Sequence, residues 1–172
     1  PRIQVAVMSL EKVVEDFDDA FQLLRLLCRS STGQIISAYV SMDTGPKKTE
    51  EIDGPEELHI VILDNGRSRI YQNPATRGAL ACIRCGACLN ACPVYGKIGG
   101  HAYAFPYAGP VGAGVGSLLF GVANHPDLCR CSTLCRACQN ACPVNINIPR
   151  MLLELRAQLA EGDPSWDVTP QG

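Results

Sequence analysis

The first region of the chain alternates between strand-like and helix-like patterns of apolar residues. The apolar run at residues 3–8 is typical of a buried strand. Apolar residues recur at helical spacing over residues 13–28, so we predict an amphipathic helix there, with Ser9 as its cap and Gly33 at its end.

Two further strands are predicted before a marked turn. Residues 36–42 alternate between apolar and other side chains, and residues 58–63 are continuously apolar, as in a strand covered on both faces. The turn signal Asp64-Asn65-Gly66 follows. This order of elements predicts a partly parallel sheet in an α/β layer over residues 1–72. Because three strands are few for such a layer and Pro1 opens directly into a strand pattern, we expect a piece of a longer protein.

The second region, residues 73–172, carries only helical signals. Asn73-Pro74 is a helix start that predicts a short helix over residues 75–81. Asn147 is placed to cap a later helix that ends near Gly162, with an apolar face of Met151, Leu152, Leu155 and Leu159. The predicted fold class is therefore α+β overall, with a partial α/β layer followed by a mainly α-helical domain.

Composition narrows the class of protein. Of 172 residues, 47% are hydrophobic and 19% are charged, which is typical of a folded globular chain. The net charge of -2 gives no reason to expect a nucleic-acid partner. Residues 98–126 lack Asp, Glu, Lys and Arg, but their seven glycines and three prolines argue against a transmembrane span. This segment lies between the two cysteine motifs described below, where it either packs tightly over their metal clusters or supplies backbone N–H groups to the cluster sulfurs.

The cysteines form a repeated motif. The first copy has the spacing C-x2-C-x2-C-x3-C-P, which binds a [4Fe–4S] cluster in bacterial ferredoxins; its residues are Cys82, Cys85, Cys88, Cys92 and Pro93. The second copy contains Cys135, Cys138, Cys142 and Pro143, and eight of ten residues from Cys85 onward are identical to it. The repeat predicts two [4Fe–4S] clusters.

The repeat also predicts how the ligands are shared. In two-cluster ferredoxins the last cysteine of such a run binds the other cluster. Cluster one is then expected to use Cys82, Cys85, Cys88 and Cys142, and cluster two Cys92, Cys131, Cys135 and Cys138. The repeat places Ser132 opposite Cys82, so the fourth ligand of cluster two has alternatives. We favour Cys131; otherwise Ser132 or Cys129 binds, or one iron is open or absent, which gives a [3Fe–4S] cluster.

Other uses of ten cysteines fit less well. Structural zinc sites use four ligands in separated pairs, and disulfides belong to secreted chains, whereas no secretory signal is present here. We therefore expect a reduced, cytoplasmic protein, either free in the cytoplasm or peripheral at the inner membrane face. No nucleotide-binding loop, flavin motif or convincing catalytic residue is found, so no substrate site is predicted in this chain.

The chain resembles the lactate-utilisation protein B family of iron–sulfur proteins. The likeness rests on the first cysteine motif with the Gly-Gly-His101-Ala-Tyr103 segment that follows it, on Asp64-Asn65-Gly66-Arg67-Ser68, and on the second motif through Pro149. It covers nearly all of this chain but only the middle-to-late part of a family member. Residues 1–72 would end the family's α/β lactate-utilisation domain, and residues 73–172 would form its two-cluster ferredoxin domain.

This resemblance implies an electron-transfer subunit of a multi-protein dehydrogenase that oxidises L-lactate to pyruvate. The implied partners are the other subunits of that complex, together with electron donor and acceptor proteins. Two alternatives stay open: an electron-transfer subunit for another 2-hydroxy acid or quinone-linked dehydrogenase, and a regulatory iron–sulfur protein that senses redox state.

Overall fold

The computed structural model describes residues 2–164 and 168–170, so Pro1 and Gly172, the outer limits of the two predicted domains, lie outside the described residues. The first region contains β1 (Ile3–Ser9), α1 (Phe17–Thr32), β2 (Glu57–Leu63) and α2 (Arg67–Gln72). The second region is built from helices: α3 (Ala87–Asn90), α4 (Pro93–Ile98), α5 (Gly109–Phe120), α6 (Pro126–Arg130), α7 (Ala137–Asn140) and α8 (Ile148–Glu161). The predicted α+β class is confirmed.

The sheet consists of β1 and β2, which pair in parallel. Ile3 lies opposite Glu57, and the register continues to Ser9 opposite Leu63. The predicted parallel pairing is confirmed, but the expectation that the last strand is covered on both faces is wrong. Ile60 of β2 is 61% exposed and Ile62 is also exposed, because no described element packs over them.

Helix α1 begins later than predicted. Its cap is Asp16, whose Oδ1 accepts a hydrogen bond from the Asp19 amide at 2.9 Å, so Ser9 was the wrong cap. Ser9 instead precedes a single 3₁₀ turn, Leu10–Lys12, and its side chain caps nothing there. The predicted end at Gly33 is confirmed: this glycine adopts a left-handed conformation with φ of 76°.

The prediction of a strand at residues 36–42 is wrong. Residues 33–56 form neither helix nor strand, and the side chains of Ile36, Val40 and Met42 are exposed. A strand needs a neighbour for its backbone N–H and C=O groups. No described strand lies beside this segment, so its alternating pattern has no ladder to join.

The helix starts of the second region are partly as predicted. The Asn73 side chain accepts from the Ala75 amide at 2.9 Å, but the helix that follows is only a 3₁₀ turn, Arg77–Ala81. The later helix is confirmed as α8: Asn147 Oδ1 accepts from the Arg150 amide at 3.1 Å, and Gly162 ends the helix. Its predicted apolar face is buried.

The glycine-rich segment forms helix α5, despite the low helix propensity of glycine. Tertiary packing explains this, because α5 lies buried against α3, α6 and α8. At Gly112 a Cβ atom would stand 2.4 Å from the Tyr107 carbonyl oxygen, and at Gly116 it would stand 2.5 Å from the Phe105 ring. Because these two glycines have no side chain, Tyr107 and Phe105 pack directly against the backbone of α5, and a larger residue at either position would clash with them. Among the described residues, no helix is long and apolar enough to cross a membrane.

The buried core lies mainly in the second region, and Ile70 of α2 joins it from the first. Its fully buried side chains include Leu118, Leu152 and Leu155, and it also contains Cys82 and Cys88. By contrast, β1, β2 and α1 contribute no fully buried residue. The cysteine motifs are therefore held by the most tightly packed part of the protein.

Candidate metal centres

The two cysteine motifs have the same backbone shape. In the first loop Arg84 and Gly86 have φ of 63° and 80°, and fifty residues later Leu134 and Arg136 have φ of 58° and 66°. Each loop then enters a four-residue helix, α3 or α7. Left-handed residues at matched positions are unusual for non-glycine side chains, so the sequence repeat is also a structural repeat.

Backbone amides point at several cysteine sulfurs. The amides of Arg84 and Tyr95 lie 3.4 Å from Cys82 Sγ and Cys92 Sγ respectively. In the second copy the Ile146 amide lies 3.4 Å from Cys142 Sγ. Such N–H donors stabilise the negative charge of thiolates, which is the form in which cysteine binds metal.

One cavity collects the four predicted ligands of cluster one. Its lining includes Cys82, Cys85, Cys88 and Cys142 together with apolar residues such as Val111 and Ile146. The last cysteine of the second copy therefore faces the first three cysteines of the first copy. Four thiols within apolar walls fit an iron–sulfur cluster, and the sharing of ligands between the two copies stays a prediction.

The reciprocal set lies around Cys138. Burial raises the pKa of the Cys138 thiol, and the neighbouring thiols of Cys92 and Cys135 raise it further. Cys92 belongs to the first copy, yet it lies near cysteines of the second copy because α3 packs against α7. Three of the four predicted ligands of cluster two are thereby brought together.

The electrostatics of the two sets differ. Burial raises the pKa of Cys88 to about 11, although a hydrogen bond from the Val111 amide of α5 opposes that shift. Cys135 is exposed, and hydrogen bonds from the Thr133 side chain and the Ala137 amide lower its pKa. The glycine-rich segment thus supplies an N–H donor to a cysteine of the first motif, and its contact with the clusters stays a prediction.

A single metal ion fits these cysteines less well than a cluster does. Within the described ranges, no three His, Cys, Asp or Glu side chains converge closely enough to hold one ion. In a cubane cluster each thiolate binds a different iron, so the four sulfurs stand farther apart than around one zinc ion. The thiols spread around the cavity suit the larger group.

Cys129 and Cys131, two candidates for the fourth ligand of cluster two, have different surroundings. Cys129 is 0% exposed, and its Sγ donates to the Pro126 carbonyl at 3.3 Å inside the apolar core. Cys131 is half-buried, and its thiol lies near Tyr103, as Cys92 does. Cys131 is therefore the more accessible of the two and shares the neighbourhood of Tyr103 with Cys92.

Ser132 occupies the place that Cys82 has in the first copy. Its Oγ accepts a hydrogen bond from the Leu134 amide at 3.1 Å, as Cys82 Sγ accepts one from the Arg84 amide at 3.4 Å. The repeat alignment predicted this correspondence, and the hydrogen bonds confirm it. Whether the hydroxyl binds iron is a separate matter.

Arg156 holds the segment that carries these candidates, a role that the sequence did not indicate. From α8, its Nε donates to the Cys129 carbonyl at 2.9 Å, and a terminal nitrogen donates to the Ser132 carbonyl at 2.9 Å. The same nitrogen lies 3.4 Å from the Arg130 carbonyl. In the sequence, Arg156 lies next to the predicted apolar face of α8, and nothing in that pattern indicates that it contacts residues 129–132.

A second missed contact joins the α/β region to the first cysteine loop. Lys12 Nζ donates to the Cys82 carbonyl, and Lys12 also pairs with Glu11 at 3.8 Å. Glu11 in turn lies 2.6 Å from Arg67 Nε, with both side chains largely buried. Burial alone would raise the pKa of Glu11, but hydrogen bonds from its own amide and from Ser9, with the cations of Lys12 and Arg67, lower it. These charges hold the end of β1 against the first cysteine loop.

Comparison with known proteins places both regions in recognised families. Residues 1–63 match the LUD domain, and residues 78–146 match the 4Fe-4S dicluster domain. No solved structure matches the chain.

Curated relatives match across both regions. Lactate utilization protein B from Anoxybacillus flavithermus is 46% identical over 161 residues, that from Bacillus subtilis is 45% identical, and that from Bacillus cytotoxicus is 47% identical. Each match covers 94% of this chain, and the chain spans about a third of the length of these relatives, 33% to 34%.

The predicted resemblance is thus confirmed over the region that is shared. The order of the two matched domains agrees with the order of the α/β and helical regions of the fold. The chain is thus similar to lactate utilization protein B along 94% of its length, and its helical region matches the 4Fe-4S dicluster domain.

Proposed function

We propose that this chain is the electron-transfer component of a multi-protein dehydrogenase that oxidises L-lactate to pyruvate, and that it holds two [4Fe–4S] clusters. The observation that carries the proposal is the cavity lined by thiols from both motif copies, Cys82, Cys85, Cys88 and Cys142. Lactate as substrate is supported by the names of the relatives, which cover this chain but are three times as long.

The proposed ligands divide as the repeat suggests. Cluster one would be held by Cys82, Cys85, Cys88 and Cys142, and cluster two by Cys92, Cys131, Cys135 and Cys138. When bound, each cluster supplies a one-electron redox centre, so two of them match the two electrons that oxidation of one lactate releases.

The protein's own contribution is to hold and shield the cysteines. The thiols must lose their protons when metal binds, and the raised pKa of Cys88 means that a metal-free Cys88 stays protonated at neutral pH. Val111 and Ile146 line the cavity with apolar groups that keep water from the site. The amide of Val111 donates to the Cys88 sulfur, which favours its charged form.

The fourth ligand of cluster two is the one position with a specific second candidate. We propose Cys131, because its thiol lies beside Tyr103, as does that of Cys92. Ser132 is the alternative, because its hydroxyl takes the hydrogen bond that Cys82 takes in the first copy. Absence of a fourth protein ligand would give a [3Fe–4S] cluster.

Two variants separate these possibilities. If Cys131 binds, Cys131→Ser changes the spectrum of cluster two and Ser132→Ala leaves it unchanged. The reverse pattern would assign Ser132. A [3Fe–4S] signal in the unmodified protein that neither variant changes would rule out both residues.

The assignment to lactate has its own test. The anaerobically purified protein is mixed with its co-purified partner proteins, and L-lactate is added while the visible absorbance of the clusters is followed. Bleaching with L-lactate, and none with buffer alone, supports the proposal. Clusters that stay oxidised with lactate but are reduced by another 2-hydroxy acid would reassign the substrate. Clusters that no such substrate reduces would favour a redox-sensing role.

Partners and location belong to the same proposal. We expect the other subunits of the dehydrogenase and separate donor and acceptor proteins to bind this chain. We also expect it in the cytoplasm, free or against the inner membrane face, because the cysteines of the two motifs must stay reduced to bind iron.

A further inference from the structure

The hydroxyl of Tyr103 is buried without a protein partner. Tyr103 lies in the short 3₁₀ helix His101–Tyr103 between the two motifs, and only 4% of its surface is exposed. Among the described residues, its oxygen makes no hydrogen bond. A buried hydroxyl without a partner is destabilising, so such groups nearly always have one.

Cysteine thiols are among the groups that surround this hydroxyl. Burial is the largest cause of a rise in the pKa of Tyr103 to about 12, to which Cys92, Cys131, Tyr95 and, least, Cys88 also contribute. The phenol is therefore a neutral donor at physiological pH. Its strongest cysteine neighbour, Cys92, is a proposed ligand of cluster two.

The ring of Tyr103 does not explain why a hydroxyl is present. The ring packs in the apolar core and lies 6.3 Å from the Tyr95 ring. Phenylalanine would fill the same space and would leave no polar atom unpaired. The hydroxyl is thus the part of this side chain that needs a partner beyond the protein.

We propose that the Tyr103 hydroxyl donates a hydrogen bond to a sulfur atom of cluster two and so raises the reduction potential of that cluster. The inference rests on the proposed function, since it requires the cluster to be present. Hydrogen bonds to the sulfurs are one of the means by which proteins set cluster potentials. A donor stabilises the reduced state more than the oxidised state, because the reduced cluster carries one more negative charge.

The test is Tyr103→Phe, which removes one oxygen atom. The matched control is Tyr95→Phe, because Tyr95 is the neighbouring ring and its hydroxyl is not among the buried, unpaired atoms. Redox titration followed by EPR gives a separate midpoint for each cluster. In Tyr103→Phe we expect the equilibrium constant for reduction of cluster two to fall about tenfold, which lowers its midpoint potential by about 59 mV for one electron. The midpoint of cluster one should change less. Both midpoints of the Tyr95→Phe control should match those of the unmodified protein.

A second measurement does not depend on a variant that loads its clusters. Tyrosine labelled at its hydroxyl oxygen with a magnetic isotope is incorporated into the unmodified protein, and pulsed EPR detects label close to the reduced cluster. We expect a coupling to cluster two, and loss of that coupling in Tyr103→Phe if this variant loads. No coupling in the unmodified protein would overturn the inference.

The outcomes separate this inference from the proposed function. Full iron content with equal potentials in Tyr103→Phe and the unmodified protein would overturn the role of Tyr103 and leave the proposed function standing. Equal shifts in Tyr103→Phe and Tyr95→Phe would assign the effect to ring packing and would also overturn it. Unmodified protein that is folded but free of iron would overturn the proposed function itself.

Discussion

The two cysteine motifs share a backbone but not an environment. Both loops place left-handed residues at the same two positions and lead into matching short helices. The first copy faces a cavity walled by apolar side chains, whereas in the second copy Cys135 is exposed and Arg136 stands where the first copy has Gly86. The repeat in sequence thus sets the shape of each loop, and the elements packed around it set the environment.

That difference has a consequence for redox chemistry. Cluster potentials depend on burial, nearby charge and hydrogen bonds. Two centres with similar ligands can therefore have different potentials within one chain. The proposed sharing of ligands, through Cys92 and Cys142, keeps the two centres next to each other. Four substitutions break or sharpen this comparison.

The largest effect is expected from Cys88→Ser. Cys88 belongs to the first copy and is a proposed ligand of cluster one, so its loss should prevent that cluster from binding. Iron should then fall from about eight toward about four atoms per chain, the content of one cubane. Iron analysis and EPR measure it, with Cys28→Ser in α1 as the control. Unchanged iron and spectra in Cys88→Ser would refute the ligand assignment.

Arg156→Met should weaken cluster two selectively. The change removes the guanidinium that binds the carbonyls of Cys129 and Ser132, so the segment holding the fourth ligand loses about 2 kcal/mol of support. We expect cluster two to be lost faster on exposure to air or chelator. Arg150→Met on the same helix, where the side chain is exposed, is the control. Equal loss of both clusters would argue against a local role.

Lys12→Met should lower the potential of cluster one. Lys12 places a cation against the Cys82 carbonyl, and a nearby positive charge stabilises the reduced cluster. EPR-monitored titration should show a lower midpoint for cluster one, a smaller change for cluster two, and no change in the control Lys97→Met. If both clusters shifted equally, the contact between the α/β region and the first loop would not be the cause.

The smallest effect is expected from Arg136→Gly, which gives the second loop the residue of the first. Glycine removes the backbone strain of a left-handed arginine, which stabilises the fold, but it also increases the conformational entropy of the unfolded chain, which destabilises it. Because these effects oppose each other, the free energy of unfolding should change by less than about 1 kcal/mol. Loss of the positive charge should lower the potential of cluster two slightly. Thermal denaturation and redox titration check the two parts. A strongly destabilised variant would show that the arginine side chain holds the loop.

Local patterns in the sequence predicted the local parts of the structure. Cysteine spacing indicated the two loops, and capping residues predicted α8 from Asn147 to Gly162. The alternating pattern of residues 36–42 gave a wrong prediction of a strand, because a strand forms only where another strand pairs with it. The glycine-rich segment was not predicted as a helix, because α5 owes its stability to the helices around it.

The missed contacts of the site are those between distant residues. Lys12 contacts Cys82 across 70 positions, and Arg156 contacts Ser132 across 24. No periodicity encodes such pairs, since they depend on how the elements pack. The unpaired hydroxyl of Tyr103 likewise becomes visible only when its surroundings are known.

Anomalous scattering at the iron edge, from crystals grown without oxygen, tests the central claim most directly. We predict two iron centres, with the sulfur of Cys142 bound to the centre of the first motif and the sulfur of Cys92 bound to the centre of the second. Two centres that each use cysteines of one copy only, or a well-folded crystal without iron, would contradict the account.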